Sequence, residues 1–329
     1  MRSPPQNELA SAGRRQSFAA VTSADGTTYG YRQLGQGPGL ILLHGGMMAS
    51  QNFVKLAAAL SDSFTVYVPD RRGRGRSGPF GDQYSVARDC EDVCALMEKT
   101  GARNLFGLSS GAIIALEVAR TVRGIERVAA YEPPFALGRS NPAHWAARFD
   151  RQIAAGDLAA AMLTVLKGTG DSRLLRLVPE FLLVFLLRLG ISGDSRRTED
   201  GNVPISELIP TMHYDAQIVT ETRHSLPKLN DLTPEVLLVG GARSAVFLKR
   251  VLDALEKLLP RVTRLELPGV GHLAADNEHR PELVAAALKP FFSRAQTNGG
   301  QARSGATGLV SLLDGVQPPS ANSPAKLSE

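Results

Sequence analysis

The run Gly107-Leu108-Ser109-Ser110-Gly111 constrains this chain more than any other five residues in it. It ends a short apolar stretch, Asn104–Leu108, that reads as a strand, and it opens a small-residue stretch, 111–120, that reads as a helix. A serine between two glycines at such a junction sits on a sharp strand-to-helix turn. Small residues two before and two after let the neighbouring backbone pass. The serine oxygen is then raised above the sheet, at the positive end of the helix dipole. Of the two serines, only Ser109 has glycine at both offsets. Ser110 falls where its main-chain N–H would point into an oxyanion hole.

Strands and helices alternate on both sides of this turn. Apolar runs predict strands over 27–34, 39–43, 64–68, 104–108, 127–131, 234–239 and 263–267. Helical spacing predicts helices over 53–60, 86–100, 111–120, 247–259 and 281–292. Strands alternating with helices of this length imply an α/β fold with a mostly parallel central sheet and helices on both faces. Ligands of such sheets sit at the carboxyl ends of the strands. Between residues 135 and 228 the rhythm breaks into helical patterns (145–155, 158–166, 174–189, 205–213) with no clear strand. An insertion of that length is far longer than an ordinary connection, and it reads as a helical cap over the sheet edge. The body is thus expected in two parts, 18–134 and 229–294. A flexible segment (1–17) is expected before it and a Gly/Ser/Ala/Asn/Pro-rich flexible tail (295–329) after it.

Composition excludes several classes. Of 329 residues, 43% are apolar and 21% charged, which suits a large buried core and rules out a disordered, collagen-like or disulfide-stapled chain. The +5 net charge is mild. Arg71, Arg72, Arg74 and Arg76 fall inside a Gly-rich turn without interleaved aromatics, so no nucleic-acid partner is expected. Cys90 and Cys94 are four apart, a spacing that suits neither a disulfide framework nor a zinc site, and they read as reduced core thiols. No apolar h-region precedes residue 17, and the uninterrupted run Phe181 to Leu187 is far short of the roughly 20 residues a spanning helix needs. A buried helix lining a cavity is expected there, in a cytoplasmic protein with no stable membrane insertion. A homodimer is compatible with the sequence. No Gly-Lys-Ser/Thr motif, metal cluster or dinucleotide fingerprint appears, so neither cofactor nor metal is expected.

Four blocks occur in order: Leu43-His44-Gly45-Gly46, Asp70 to Gly78, the serine turn, and Pro268-Gly269-Val270-Gly271-His272. Through them the chain resembles the α/β-hydrolase superfamily over about residues 18–292. The resemblance implies the α/β-hydrolase fold with an inserted helical cap, Ser109 as nucleophile and His272 as its base. His44 opens the oxyanion loop and reads as structural. Most such proteins carry an acid after the strand represented here by 236–239, yet the following loop, 240–246, holds neither Asp nor Glu. Either the triad is broken or the acid comes from elsewhere. Glu132, in Tyr131-Glu132-Pro133-Pro134, ends the strand after the serine helix and is the candidate. Some dehalogenases and lactone hydrolases look similar in this respect. Its job would be to hold the His272 tautomer and stabilise the imidazolium.

Oxyanion donors are expected from Ser110 and from Gly46, with Met47 as the alternative to Gly46. Met47 and Met48 are expected to line the acyl side of the pocket. Trp145, Phe181 and Phe185 of the cap hint at a hydrophobic small-molecule substrate. The expectation is a cofactor-independent serine hydrolase that cleaves an ester, lactone or related carbonyl bond through an acyl-enzyme. A non-catalytic ligand-binding or sensor protein on the same fold, or a carbon–carbon bond hydrolase, are the alternatives.

Overall fold

The short apolar runs become the interior of one eight-stranded sheet. The computed structural model describes residues 16–169, 178–195 and 202–294. The chain divides into two compact units, Met1–Ser293 and Arg294–Glu329, and every element below lies in the first. The strands are β1 (Ser17–Thr22), β2 (Thr28–Leu34), β3 (Gly39–Leu43), β4 (Thr65–Pro69), β5 (Asn104–Leu108), β6 (Arg127–Tyr131), β7 (Glu235–Gly241) and β8 (Val262–Leu267). They lie in the order β1-β2-β4-β3-β5-β6-β7-β8. β2 runs antiparallel to both β1 and β4, and all other pairs are parallel. Every residue of β5 and β6 is buried, which is why these strands read as unbroken apolar runs.

The first helices are α1 (Val54–Leu60), α2 (Val86–Thr100) and α3 (Ser110–Thr121). The described part of the insertion between β6 and β7 contains α4 (Ala146–Ala154), α5 (Leu158–Gly168), α6 (Glu180–Ser195), α7 (Ile205–Leu208) and α8 (Met212–Glu221), with no strand. α9 (Val246–Leu258) and α10 (Pro281–Phe292) complete the body. β6, α2 and α10 fall on the residues expected from spacing. α10 also starts on Pro281, where the missing N–H costs nothing.

Two expectations about the margins of the body need correction. Ser17 opens β1 rather than ending a loose segment; residues 1–15 and 295–329, expected to be flexible, lie outside the described residues. β1 is mostly exposed and pairs with β2 along its whole length, so pairing defines it and burial does not. Cys90 and Cys94 are free but only half-buried, at the margin of the core.

The largest departure concerns the helix expected at 174–189. Residues 170–177 lie outside the described residues, and α6 starts at Glu180, after Pro179 accepts from the Leu182 and Leu183 amides. It is not a buried helix. Leu183 is buried, but Phe181 is 78% and Phe185 56% exposed, with Leu182, Leu186 and Leu189 exposed beside them. An all-apolar run reads as buried on every side, yet this helix is covered on one side only. Pairs of Glu180 with Arg148 and Lys167, and of Arg188 with Asp157, tie its flank to α4 and α5.

The turn around Ser109 explains its glycines. A Cβ on Gly107 would collide with the Gly111 carbonyl, and one on Gly111 with the carbonyls of Leu43 and His44. The two glycines let β5, the start of α3 and the end of β3 meet backbone to backbone. Ser109 stands at φ 57°, ψ −122°, in a region that L-residues rarely adopt.

Candidate active site

Parallel register brings five chain segments to one edge of the sheet. Leu43 pairs with Gly107, Leu108 with Tyr131, and Tyr131 with Val239. Gly45-Gly46, Ser109 and Glu132, which follow β3, β5 and β6, and Gly240-Gly241, which end β7, therefore emerge side by side. His272 joins them from the loop after β8.

Glu132 and His272 are bonded. His272 Nδ1 lies 2.8 Å from Glu132 Oε2, and the Glu132 side chain is fully buried. With a carboxylate as partner, Nδ1 carries the proton and donates it. Nε2 is thereby left as the basic nitrogen. The second carboxylate oxygen, Oε1, accepts the Gly241 amide at 2.7 Å. This accounts for the loop that lacks an acid. A Cβ on Gly240, near the end of β7, would approach Glu132 Oε1 to 3.2 Å, so this glycine leaves room for the carboxylate arriving from β6. Tyr131 adds a second tie, its hydroxyl donating to the Gly271 carbonyl at 2.7 Å beside His272.

Backbone strain marks the same residues. Among the described residues, the non-glycine positions with positive φ are Met47 (52°), Ser109 (57°) and Glu132 (47°). Each costs on the order of 1–3 kcal/mol, and such strain persists where the surrounding structure over-determines it, commonly at functional sites.

Ser109, Ser110, Gly46 and His272 line one cavity with about 50 Å³ of space for water-sized molecules. Its upper wall comes from the insertion, through Trp145, Met212, Asp215 and Val219, and α9 adds Phe247 and Leu248. Trp145, one of the expected substrate-binding residues, lines this cavity. Four other expected lining residues do not. Met48 is buried in the core, and Met47 packs against the core while Gly46 faces the cavity. Phe181 and Phe185 lie on the exposed side of α6. The flexible thioether at the cavity belongs to Met212 instead. Among the described residues no group of three or more His, Cys, Asp or Glu is arranged to hold a metal ion, and no helix is long and apolar enough to cross a membrane.

The arginine-rich turn divides its work. Asp70 accepts from the Ser50 and Arg76 amides, and Arg72 pairs with Asp25 and Asp92, so these residues shape the turn. Arg71 and Arg74 reach further, beneath the cavity. Arg71 donates to Asp215 Oδ1 at 2.8 Å and to Ser110 Oγ at 3.1 Å; Arg74 donates to Asp215 Oδ2 at 2.6 Å. Ser110 Oγ donates to Asp215 Oδ1 at 2.7 Å. Arg71 also pairs with Asp89. Sequence reading missed Asp215, because it sits in an unremarkable helical stretch with no motif around it.

His44 is a neutral pin in this network. Its Nε2 accepts the Arg71 amide at 3.1 Å, so Nδ1 carries the proton and donates to the Gly45 carbonyl at 3.0 Å. Burial, reinforced by Arg74 and Arg71, pushes its pKa well below the usual histidine value.

Asp215 is fully buried, which works against ionisation. Arg74, Arg71 and the Ser110 hydroxyl more than offset that and hold its pKa below the ordinary carboxylate value. A depressed folded-state pKa contributes stability that is fully present above the unfolded value, about 4. That contribution is lost as pH falls through the folded value. Asp215→Asn should therefore cost about 3 kcal/mol or more near neutrality, by stranding buried guanidinium charge. The gap from wild type should narrow below about pH 4. Urea unfolding of both proteins across this range checks it; a gap unchanged down to the acid limit of the fold contradicts it.

A family model for the alpha/beta hydrolase fold matches residues 38–278. The chain is 25% identical over 272 residues to 2-(acetamidomethylene)succinate hydrolase of Mesorhizobium japonicum, covering 80% of this chain and 91% of that protein. It is 28% identical over 279 residues to the pimeloyl-(acyl-carrier protein) methyl ester esterase of Stenotrophomonas maltophilia, covering 81% and 98%. The crystal structure of an alpha/beta hydrolase from Sphaerobacter thermophilus superposes with a TM-score of 0.68 at 26% identity, covering 84% of this chain and 100% of that one. The family match spans the glycine loop after β3, the serine turn, Glu132 and His272, and the eight-stranded sheet agrees with it. The chain belongs to the alpha/beta hydrolase fold family.

Proposed function

We propose that the protein is a cofactor-independent serine hydrolase that opens an ester, lactone or related carbonyl bond of a small to medium hydrophobic substrate. The observation that carries this reading is the 2.8 Å contact of His272 Nδ1 with buried Glu132, with His272 and Ser109 on one cavity. Ser109 Oγ attacks the substrate carbonyl carbon and passes its proton to His272 Nε2. The Gly46 and Ser110 amides receive the developing oxyanion; Ser110 opens α3, so its N–H has no partner within the helix. His272 gives the proton to the leaving oxygen, and an acyl-enzyme remains. Water attacks it with His272 again as base, which releases the acid and restores Ser109. Glu132 holds the His272 ring through Nδ1 and stabilises the imidazolium in both halves.

The apolar wall of Trp145, Val219 and Leu248 suits an uncharged hydrocarbon portion of the substrate. The curated relative named as a methyl ester esterase supports the ester as the bond type. The missing acid after β7 gives no weight to a non-catalytic reading, because the amide of Gly241, the last residue of β7, is bonded to the Glu132 carboxylate that follows β6. The test is covalent. A fluorophosphonate probe should add to Ser109, located by mass spectrometry of the peptide, and short p-nitrophenyl esters should be turned over and blocked by the same probe. An unlabelled Ser109 with no turnover would sink the reading.

A further inference from the structure

We infer that Asp215 sets the charge preference of the site: together with Asp89 it cancels Arg71 and Arg74, and it alone of these four presents its charge to the cavity, so acyl groups carrying a carboxylate are rejected and uncharged ones accepted. This rests on the serine hydrolase reading above.

Arg71, Arg74 and Asp215 are 1%, 2% and 2% exposed, so their charges are poorly screened by water. Arg71 and Arg74 balance Asp215 and Asp89, and neutral His44 adds nothing. The cluster is closed electrically but opens on the cavity at one place. Asp215 is the member that lines the cavity, and its carboxylate stands against the glycine loop. A Cβ on Gly46 would lie 3.1 Å from Asp215 Oδ2. An acyl group seated between Gly46 and Ser110 therefore meets the carboxylate before it meets either guanidinium.

A substrate carboxylate in that place would lose its water and gain a like charge as neighbour, two costs of the same sign. An alkyl chain incurs neither. The guanidiniums behind Asp215 retain spare donors: Arg71 Nε and Arg74 Nη1 are buried without hydrogen-bond partners. Once Asp215 is neutralised, they are cations in need of an anion. The preference is thus reversible by one side chain, because the positive charge is already built in.

The experiment compares methyl pentanoate with monomethyl glutarate, which differ only by a terminal methyl against a carboxylate. Acid release by wild type should favour the neutral ester by about 100-fold in kcat/KM. Asp215→Asn should bring the two within about 5-fold, or invert the order. If that variant does not fold, Asp215→Asn/Arg74→Gln removes one buried charge of each sign and should also cut the ratio below about 10-fold. A structural tie between α8 and the body would change both esters alike and leave the ratio standing. Wild-type turnover of the two esters within about 3-fold, or a ratio unaltered in the folded variant, overturns the inference while leaving the hydrolase reading intact. No Ser109-dependent turnover of either ester overturns both.

Discussion

Ser109→Ala is expected to lower kcat by about 10⁴-fold or more, with the fold unchanged. The substitution removes the attacking oxygen and nothing else. Alanine is smaller than serine, and no described hydrogen bond depends on the Ser109 hydroxyl for the shape of the turn; its backbone N–H still donates to the Tyr131 carbonyl at 2.9 Å. Its φ of 57° remains strained for alanine as it is for serine, so strain does not separate the two proteins. The measurement is the burst of p-nitrophenol on mixing with a short ester. Wild type should release about one equivalent as the acyl-enzyme forms, and the variant none. A variant that keeps more than about a tenth of wild-type turnover would move the chemistry to another residue.

Glu132→Gln should cost about 10³- to 10⁴-fold in kcat. The argument follows from its two bonds. Oε1 accepts the Gly241 amide, and Oε2 faces His272 Nδ1. A glutamine that keeps the first bond must turn its NH₂ toward His272. The ring then loses its acceptor at Nδ1 and is driven to the tautomer with the proton on Nε2, where it cannot take the serine proton. The imidazolium formed during attack also loses its counter-charge. Thermal unfolding should show a folded protein, since glutamine matches glutamate in size. Turnover within about tenfold of wild type would remove Glu132 from the proton relay and leave it a structural bond at the end of β6.

Much of the fold was legible because the relevant signal is local. β5 and β6 are buried on both faces, so their own composition announces them. α2 repeats its apolar residues at helical spacing, and α10 begins on a proline. β1 was missed because hydrogen bonds to β2 make it a strand, while its side chains stay mostly exposed. α6 was misread because an apolar heptapeptide says that burial would be favourable and does not say whether a partner covers it. Met48 and Phe185 failed as lining residues for the same reason: a type suited to a pocket is equally suited to a core or left on a surface.

The site divides along a similar line. Ser109 stands out through the strand–serine–helix pattern, His272 through the resemblance carried by the four blocks, and Glu132 through its place at the end of a strand together with a loop, 240–246, that holds no acid. These signals, and the alternation that implies a parallel sheet with its strand ends gathered at one edge, lie along the chain and are readable without coordinates. Asp215 is 105 residues from Ser110 and 144 from Arg71, with no pattern linking them. Only the tertiary structure brought that carboxylate against the glycine loop and decided which methionine, Met212, faces the cavity. Periodicity records how one segment meets its surroundings. Which charge lies across from which is set by the packing of the inserted helices on the sheet edge, and no local signal carries it.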